Sequence, residues 1–280
     1  MAVGTAVSLG NPIGDPTRLE TLVREFGALC QDNAWSAAFH QIPPELLPTF
    51  QRCGFSVLKI GEEASVPLAR FVAETAQGKD FRYIGRRFAR DGFSCGRYEP
   101  PLTAEVVQEL EAISDEWLTL AGRRERGFTL GRWDDHYPRD TVVYVVRSSS
   151  GEATAFANLV PSYRPAEVAV DLMRHRVSVA NGTMDFLFME MLTDLHSRGL
   201  ASFSLGMAPL AGIGEEPGAP IEERATHELY ERLNRFFSYK GLYAYKAKFE
   251  PDWEARYLAY DGGPLGLARV TLALTRLTEG

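Results

Sequence analysis

The sequence predicts an α+β fold, mixed sheet flanked by helices. Two observations carry that expectation. Short apolar runs alternate with the period of a strand, as Val168, Val170 and Leu172 do against Ala169, Asp171 and Met173. Longer stretches repeat apolar residues at three- and four-residue steps, as in Met184, Leu187, Phe188, Met191, Leu192 and Leu195. The two kinds of stretch are interleaved along the chain.

Residues 6–9 form the first expected strand, stopped by Gly10-Asn11-Pro12. Asp15 supplies an N-cap and Pro16 the first helical position, and Leu19, Leu22, Val23, Phe26 and Leu29 then trace one apolar face. A strand at 37–41, a short helix at 44–52 and a strand at 55–60 follow. A helix is expected over 79–91, with Phe81 and Phe88 on its buried side. Residues 93–98 read as a strand, and Glu99-Pro100-Pro101 as a break that places a domain boundary near residue 101. Thr103 caps the next helix, whose buried face is Val106, Val107, Leu110, Ile113, Trp117 and Leu118. Strands at 142–147, 153–160 and 167–173 make a meander, followed by a helix at 183–197, a strand at 201–205 and a Gly/Pro-rich loop at 207–220. A long helix at 221–239, strands at 243–249 and 256–260 and a helix at 264–277 close the chain.

The bulk numbers exclude several functions. The 280 residues are 45% hydrophobic with a net charge of -7, so the chain is not a non-specific nucleic-acid coat. Any contact with RNA has to come from a local basic patch. Arg82, Arg86, Arg87 and Arg90 share one side of the helix at 79–91 and supply such a stripe. Cys30, Cys53 and Cys95 form no CxxC pair, and the five histidines form no HExxH, so no metal site is expected and a reducing compartment is. No signal peptide and no apolar run of the ~20 residues a membrane helix needs is present. A soluble chain is expected, alone or as one part of a larger membrane protein.

The strand at 167–173 delivers a carboxylate, Asp171, and a guanidinium, Arg174, to its end. On an otherwise apolar strand such groups are costly to bury unless paired or used. Strict period two puts them on opposite faces, unless a bulge or the strand end re-aims one of them.

The order of elements after residue 101 matches the GNAT-type acyltransferase fold, and the first half reads as a degenerate copy of the same unit. The expected units are 1–101 and 102–280. GNAT enzymes that use acyl-CoA carry a Gly-rich pyrophosphate turn before the helix that follows the meander. Here that junction, residues 174–183, holds one glycine at the wrong spacing. The acyl donor is therefore not expected to be a CoA thioester.

Several motifs together carry a family resemblance. They are Lys-Ile-Gly-Glu-Glu-Ala at 59–64, Ile-Ser-Asp-Glu-Trp-Leu at 113–118, Gly-Phe-Thr-Leu-Gly at 127–131 and Asp-Leu-Met-Arg at 171–174. They continue with Met-Asp-Phe-Leu-Phe at 184–188, Leu-Gly-Met-Ala-Pro-Leu at 205–210, Phe-Phe-Ser-Tyr-Lys-Gly-Leu at 236–242 and Lys-Ala-Lys-Phe-Glu-Pro-Asp-Trp at 246–253. Over about residues 14–260 the chain resembles the C-terminal catalytic domain of the aminoacyl-phosphatidylglycerol synthases, the multiple peptide resistance factor family. The resemblance implies tandem GNAT-like units and transfer of an aminoacyl group, lysyl or alanyl, from aminoacyl-tRNA to a hydroxyl of phosphatidylglycerol. It implies work at the cytoplasmic side of a bacterial inner membrane.

The family's functional positions fall on Asp171, Arg174, Glu228 and Lys246. Their chemistry suits transesterification: Asp171 or Glu228 can take the alcohol proton or hold the donor's α-ammonium, and Arg174 and Lys246 can stabilise the oxyanion or grip the lipid phosphate. An activated ester needs neither metal nor redox cofactor. The lipid calls for an apolar channel, for which Phe186, Met207, Phe236 and Phe237 are candidates. The rival readings are a Fem-type transferase with another acceptor and a non-catalytic lipid- or tRNA-binding module.

Overall fold

The computed structural model describes residues 1–134, 136–162, 164–209, 211 and 239–279. Its strands are β1 (Thr5–Leu9), β2 (Ser36–Ile42), β3 (Ser56–Pro67), β4 (Ser94–Tyr98), β5 (Val142–Arg147), β6 (Ala153–Pro161), β7 (Glu167–His175), β8 (Ser202–Pro209) and β9 (Asp252–Tyr260). The helices are α1 (Leu19–Asp32), α2 (Leu47–Arg52), α3 (Leu68–Ala73), α4 (Lys79–Arg90), α5 (Ala104–Leu118), α6 (Thr183–Ser197), α7 (Tyr239–Ala247) and α8 (Gly263–Glu279). The nine strands form one mixed sheet in the order β1-β2-β9-β3-β8-β7-β6-β5-β4. The α+β class expected from the sequence, a mixed sheet flanked by helices, is the class observed.

Strand alternation decides which helix covers which face. Along β5, Val143 and Val145 meet Leu110 and Ile113 of α5, while Tyr144 and Val146 meet the α6 residues Phe188, Met191 and Leu192. The other end of the sheet repeats the arrangement. Ala37 and Phe39 of β2 pack on Val23 of α1 and Phe50 of α2, whereas Ala38 packs with Val270 of α8. Six α6 side chains from Phe186 to Leu195 are at most 4% exposed, each contributing about 1.5–3 kcal/mol of burial.

The strands cross the break at residue 101. β4 pairs with β5, and β9 lies between β2 and β3. β3 is also longer than its apolar run of 55–60, because its second half is the centre of the sheet, paired on both sides.

Two local expectations are corrected. Residues 243–249 do not form a strand; Tyr239–Ala247 is helix α7, so Lys246 sits on a helix. The short aromatic run fits either period, and the helical one wins because Tyr245 and Phe249, four apart, both pack on Phe188. The loop expected from 207 begins later, because Met207, Ala208 and Pro209 are the last residues of β8. The long helix expected at 221–239 falls, up to residue 238, outside the described residues.

Asp171 and Arg174 depart from strict alternation. In the β6–β7 pairing, Leu159 faces Val170 and Ala157 faces Met173, so Asp171 and Leu172 together oppose the single residue Asn158. This bulge shifts the register by one and brings Asp171 and Arg174 towards the same side of β7. Asn158 holds it in place: its buried Oδ1 accepts from Leu172 N at 2.7 Å. Asn158→Ala should cost about 1–3 kcal/mol, because the Leu172 N–H loses its partner. Urea unfolding measures this, and an unchanged midpoint would remove Asn158 as the support of the bulge.

Candidate active site

The sheet opens along one line. β7 and β8 run parallel and pair only at Glu167–Ser202, Val168–Phe203 and Ala169–Ser204. Beyond that point β7 stays with β6 through His175, and β8 stays with β3 through Pro209. The two strands diverge, leaving inner backbone edges that must bond to something other than each other. Glu167 staples the fork. Its carboxylate, at the first pair on the closed end of the ladder, accepts from Ser65 of β3 at 3.2 Å, Ser162 at 2.7 Å and Ser202 of β8 at 3.0 Å. β8 carries its own bulge, with Leu205 and Gly206 opposite Ala64 alone. Gly206 takes a φ of +75°, a conformation that favours glycine there.

On the β7 side, Asp171 and Arg174 both reach the segment 119–137, which lies over the sheet. Asp171 Oδ1 accepts from Gly131 N at 2.7 Å, and Oδ2 accepts from the Tyr137 hydroxyl. The approach is so close that a Cβ on residue 131 would lie 2.0 Å from Asp171 Oδ2, which is why a glycine stands there. Burial and the Asp171 hydrogen bond push the Tyr137 phenol up, so it stays a donor. Arg174 is only 3% exposed. Nη1 donates to Ser114 Oγ at 2.6 Å and to Glu125 Oε1 at 2.8 Å, and Nη2 donates to Glu125 Oε2 at 2.8 Å. The guanidinium also stacks 4.9 Å from the Trp117 ring centroid. Burial raises the Glu125 carboxyl, but the Arg174 hydrogen bonds and charge outweigh it and hold it below the usual range.

On the β8 side stands Lys246, 4% exposed, reaching from α7. Its Nζ donates to Gly206 O and to Met207 O, each at 2.9 Å. The bulge thus turns two consecutive carbonyls towards one ammonium. Burial pulls the Lys246 pKa down to about 8, with the Glu63 charge opposing the shift. Among the described residues, two of the three amine positions are used. Next to it runs a line of paired charges. Arg256 Nε donates to Glu63 Oε2 at 2.9 Å and Nη2 to Glu254 Oε2 at 2.9 Å, and Ser204 Oγ donates to the other Glu63 oxygen. Lys59 meets Glu62 at 3.0 Å.

The remaining expected site residues fall as follows. Met207 contributes its carbonyl to Lys246 and its side chain to the apolar cluster under α8. Phe186 lies in the core, stacked on Phe88 with ring centroids 4.6 Å apart. Glu228, Phe236 and Phe237 lie outside the described residues. Arg82, Arg86 and Arg90 are exposed on α4, whereas Arg87 is half-buried and donates to Asn181 O at the start of α6. Among the described residues no group of three or more His, Cys, Asp or Glu side chains converges on a metal position. No helix among them is long and apolar enough to cross a membrane. Pattern reasoning assigned no role to Glu63, Ser114, Glu125, Tyr137 or Arg256. Paired carboxylates at 62–63 on a strand were the one available signal; the others depend on contacts between residues 34 to 193 apart in the chain.

Comparisons with known proteins accord with this geometry. The family model described as "Phosphatidylglycerol lysyltransferase, C-terminal" matches residues 2–260. The phosphatidylglycerol lysyltransferase of Bacillus subtilis (strain 168) is 35% identical over 254 residues, which is 91% of this chain and 29% of that protein. The chain thus spans about three-tenths of the length of such curated relatives. The solved structure of L-PGS from Bacillus licheniformis superposes with a TM-score of 0.82 at 31% identity, covering 97% of this chain and 82% of that one. The C-terminal domain of a putative lysylphosphatidylglycerol synthetase from Agrobacterium fabrum gives 0.83 at 35% identity, covering 98% and 83%. With its fold and nearly its whole length matched, the chain belongs to the family of phosphatidylglycerol lysyltransferase C-terminal domains.

Proposed function

We propose that this chain transfers an aminoacyl group from aminoacyl-tRNA to a hydroxyl of phosphatidylglycerol, at the cytoplasmic side of a bacterial inner membrane, and so alters the charge of the lipid surface. The observation that carries the reading is Lys246, a buried amine pinned by two carbonyls at the fork with, among the described residues, one position left over. Family membership supports the donor and acceptor classes. On the same reading the chain consists of two GNAT-like halves, 1–101 and 102–280, each completed by a strand of the other.

The acceptor hydroxyl oxygen attacks the carbonyl carbon of the aminoacyl ester. The carbonyl oxygen gains charge, and the third Lys246 N–H stabilises it. The intermediate collapses by breaking the bond to the ribose oxygen of the tRNA 3′ end, which takes the proton released by the acceptor. Both Asp171 oxygens accept hydrogen bonds from donors, the pattern of an ionised carboxylate, which suits an anchor for the donor's α-ammonium. Arg174, held by Glu125 and Ser114, fixes the strand that carries Asp171. Glu228 remains a candidate for the proton acceptor. Arg82, Arg86 and Arg90 form the tRNA contact.

The direct test mixes the protein with labelled Lys-tRNA or Ala-tRNA and phosphatidylglycerol vesicles. Label should enter the lipid fraction; label that stays on the tRNA with both donors sinks the reading. Lys246→Met should lower kcat/KM by about 10²–10³. The wild-type rate should fall about tenfold per pH unit above about 8, as the ammonium loses its proton. A rate that climbs through pH 8 would make Lys246 a base instead. The stability sign follows from the same shift. The unfolded lysine, with a pKa of 10.5, binds its proton more tightly than the folded one, so the lysine's contribution to stability rises between pH 8 and 10.5. Arg82→Glu with Arg86→Glu should weaken tRNA binding and flatten the salt dependence by roughly 0.9 per lost phosphate contact. Unaltered slopes in filter binding would remove α4 from the tRNA interface.

A further inference from the structure

The closing helix α8 has two apolar sides. Its inner side packs Val270, Leu267 and Leu274 into the cluster that contains Met207, next to the Lys246 carbonyls. Its outer side exposes Leu265 by 75% and Leu272 by 45%, with Arg269 and Arg276 exposed between and beyond them. Positions 265, 269, 272 and 276 follow steps of four, three and four, so the four side chains form one stripe along the helix. From Gly263 to Thr278 the helix carries no acidic residue, in a chain of net charge -7. It also lies beyond residues 2–260, the part of the chain that the family model matches.

Single exposed leucines need no explanation. Leucine alternating with arginine along one stripe is different, because each residue suits one layer of a lipid interface. The leucines enter the acyl boundary and the arginines extend to the phosphates above. An adjoining surface has the same chemistry. Gly127 N donates to Thr278 O at 3.4 Å, and the segment after it exposes Leu130 by 48% together with Arg132.

We propose that the outer stripe of α8, Leu265, Arg269, Leu272 and Arg276, seats this chain on an anionic phospholipid surface and brings the fork of the sheet to the lipid. The inference rests on the reading that the acceptor is phosphatidylglycerol. Charge complementarity selects the occupant: a cationic stripe on an acidic protein is drawn to an anionic bilayer, and its leucines have no use against a phosphate-rich RNA.

Co-sedimentation with vesicles tests this. The protein should bind phosphatidylglycerol-containing vesicles and not pure phosphatidylcholine ones. Arg269→Gln with Arg276→Gln should lower the partition coefficient roughly 25-fold, about fivefold per cation. Leu265→Ser with Leu272→Ser should lower it by about tenfold or more. Thr275→Lys, an exposed gain of charge, should raise it about fivefold, which no folding defect imitates. Partition within twofold of wild type for all three variants overturns the proposal. So does a loss of tRNA binding with vesicle binding intact, which would make RNA the occupant. Transfer to detergent-dispersed phosphatidylglycerol should be unchanged in the two double variants. If wild type transfers to no acceptor, the functional reading fails, while the partition coefficients still decide the docking surface.

Discussion

The site depends on a single constraint: β7 and β8 stop pairing after three residue pairs. A sheet that opens mid-length frees backbone donors and acceptors that cost free energy unless they find partners. Here side chains supply them. On β8, Ser204 Oγ takes the Gly206 N–H at 3.1 Å and Lys246 covers the carbonyls of Gly206 and Met207, while on the other border of β7 Asn158 takes the Leu172 N–H at the bulge. Glu167, with three hydroxyls from three parts of the chain, ties the closed end of the ladder from which the strands diverge. The polar groups at the fork therefore have a structural task before any chemical one.

The charges around the fork differ in how they are balanced. Arg174 meets Glu125 in a two-pronged pair, and Arg256 bridges Glu63 and Glu254. Such pairs offset the cost of burial and fix geometry, but their partners hold them away from a substrate. Lys246 is bonded to neutral carbonyls instead, and burial moves its pKa towards neutrality. A group balanced in this way retains the capacity to exchange a proton or bind a developing charge. That difference sets Lys246 apart from Arg174, although pattern and resemblance place both in the same functional set.

Much of this architecture was legible in the chain. Period-two and helical repeats locate the meander and α6, whose bounds at 183–197 match those read from its methionine and leucine face. Caps at Asp15 and Thr103 are real, each accepting from a backbone N–H two or three residues on. Three features were not legible, for different reasons. The Tyr243–Phe249 run satisfies both periods, and only its packing against Phe188 selects the helix. The bulge at Asp171–Leu172 depends on Asn158, thirteen residues before Asp171 and on another strand. The pairing of Arg174 with Glu125 depends on a segment of irregular backbone whose course no periodicity describes.

The strand order explains why the site sits where it does. β9, from the end of the chain, is inserted between β2 and β3, and β4, from before residue 101, completes the edge beside β5. Each half of the sheet therefore contains a strand contributed by the other half of the chain. The fork lies one strand from the border between these halves: β3 and β8 meet at that border and bring Glu63 and Ser204 together, and β7 parts from β8 on its other side. The fork is rigid on its flanks, because β7 stays paired with β6 and β8 with β3, and open between them. Asp171 and Lys246 are carried by a strand and a helix rather than by free loops. Rigid placement of that sort holds side chains in one geometry, which is what preorganised chemistry requires.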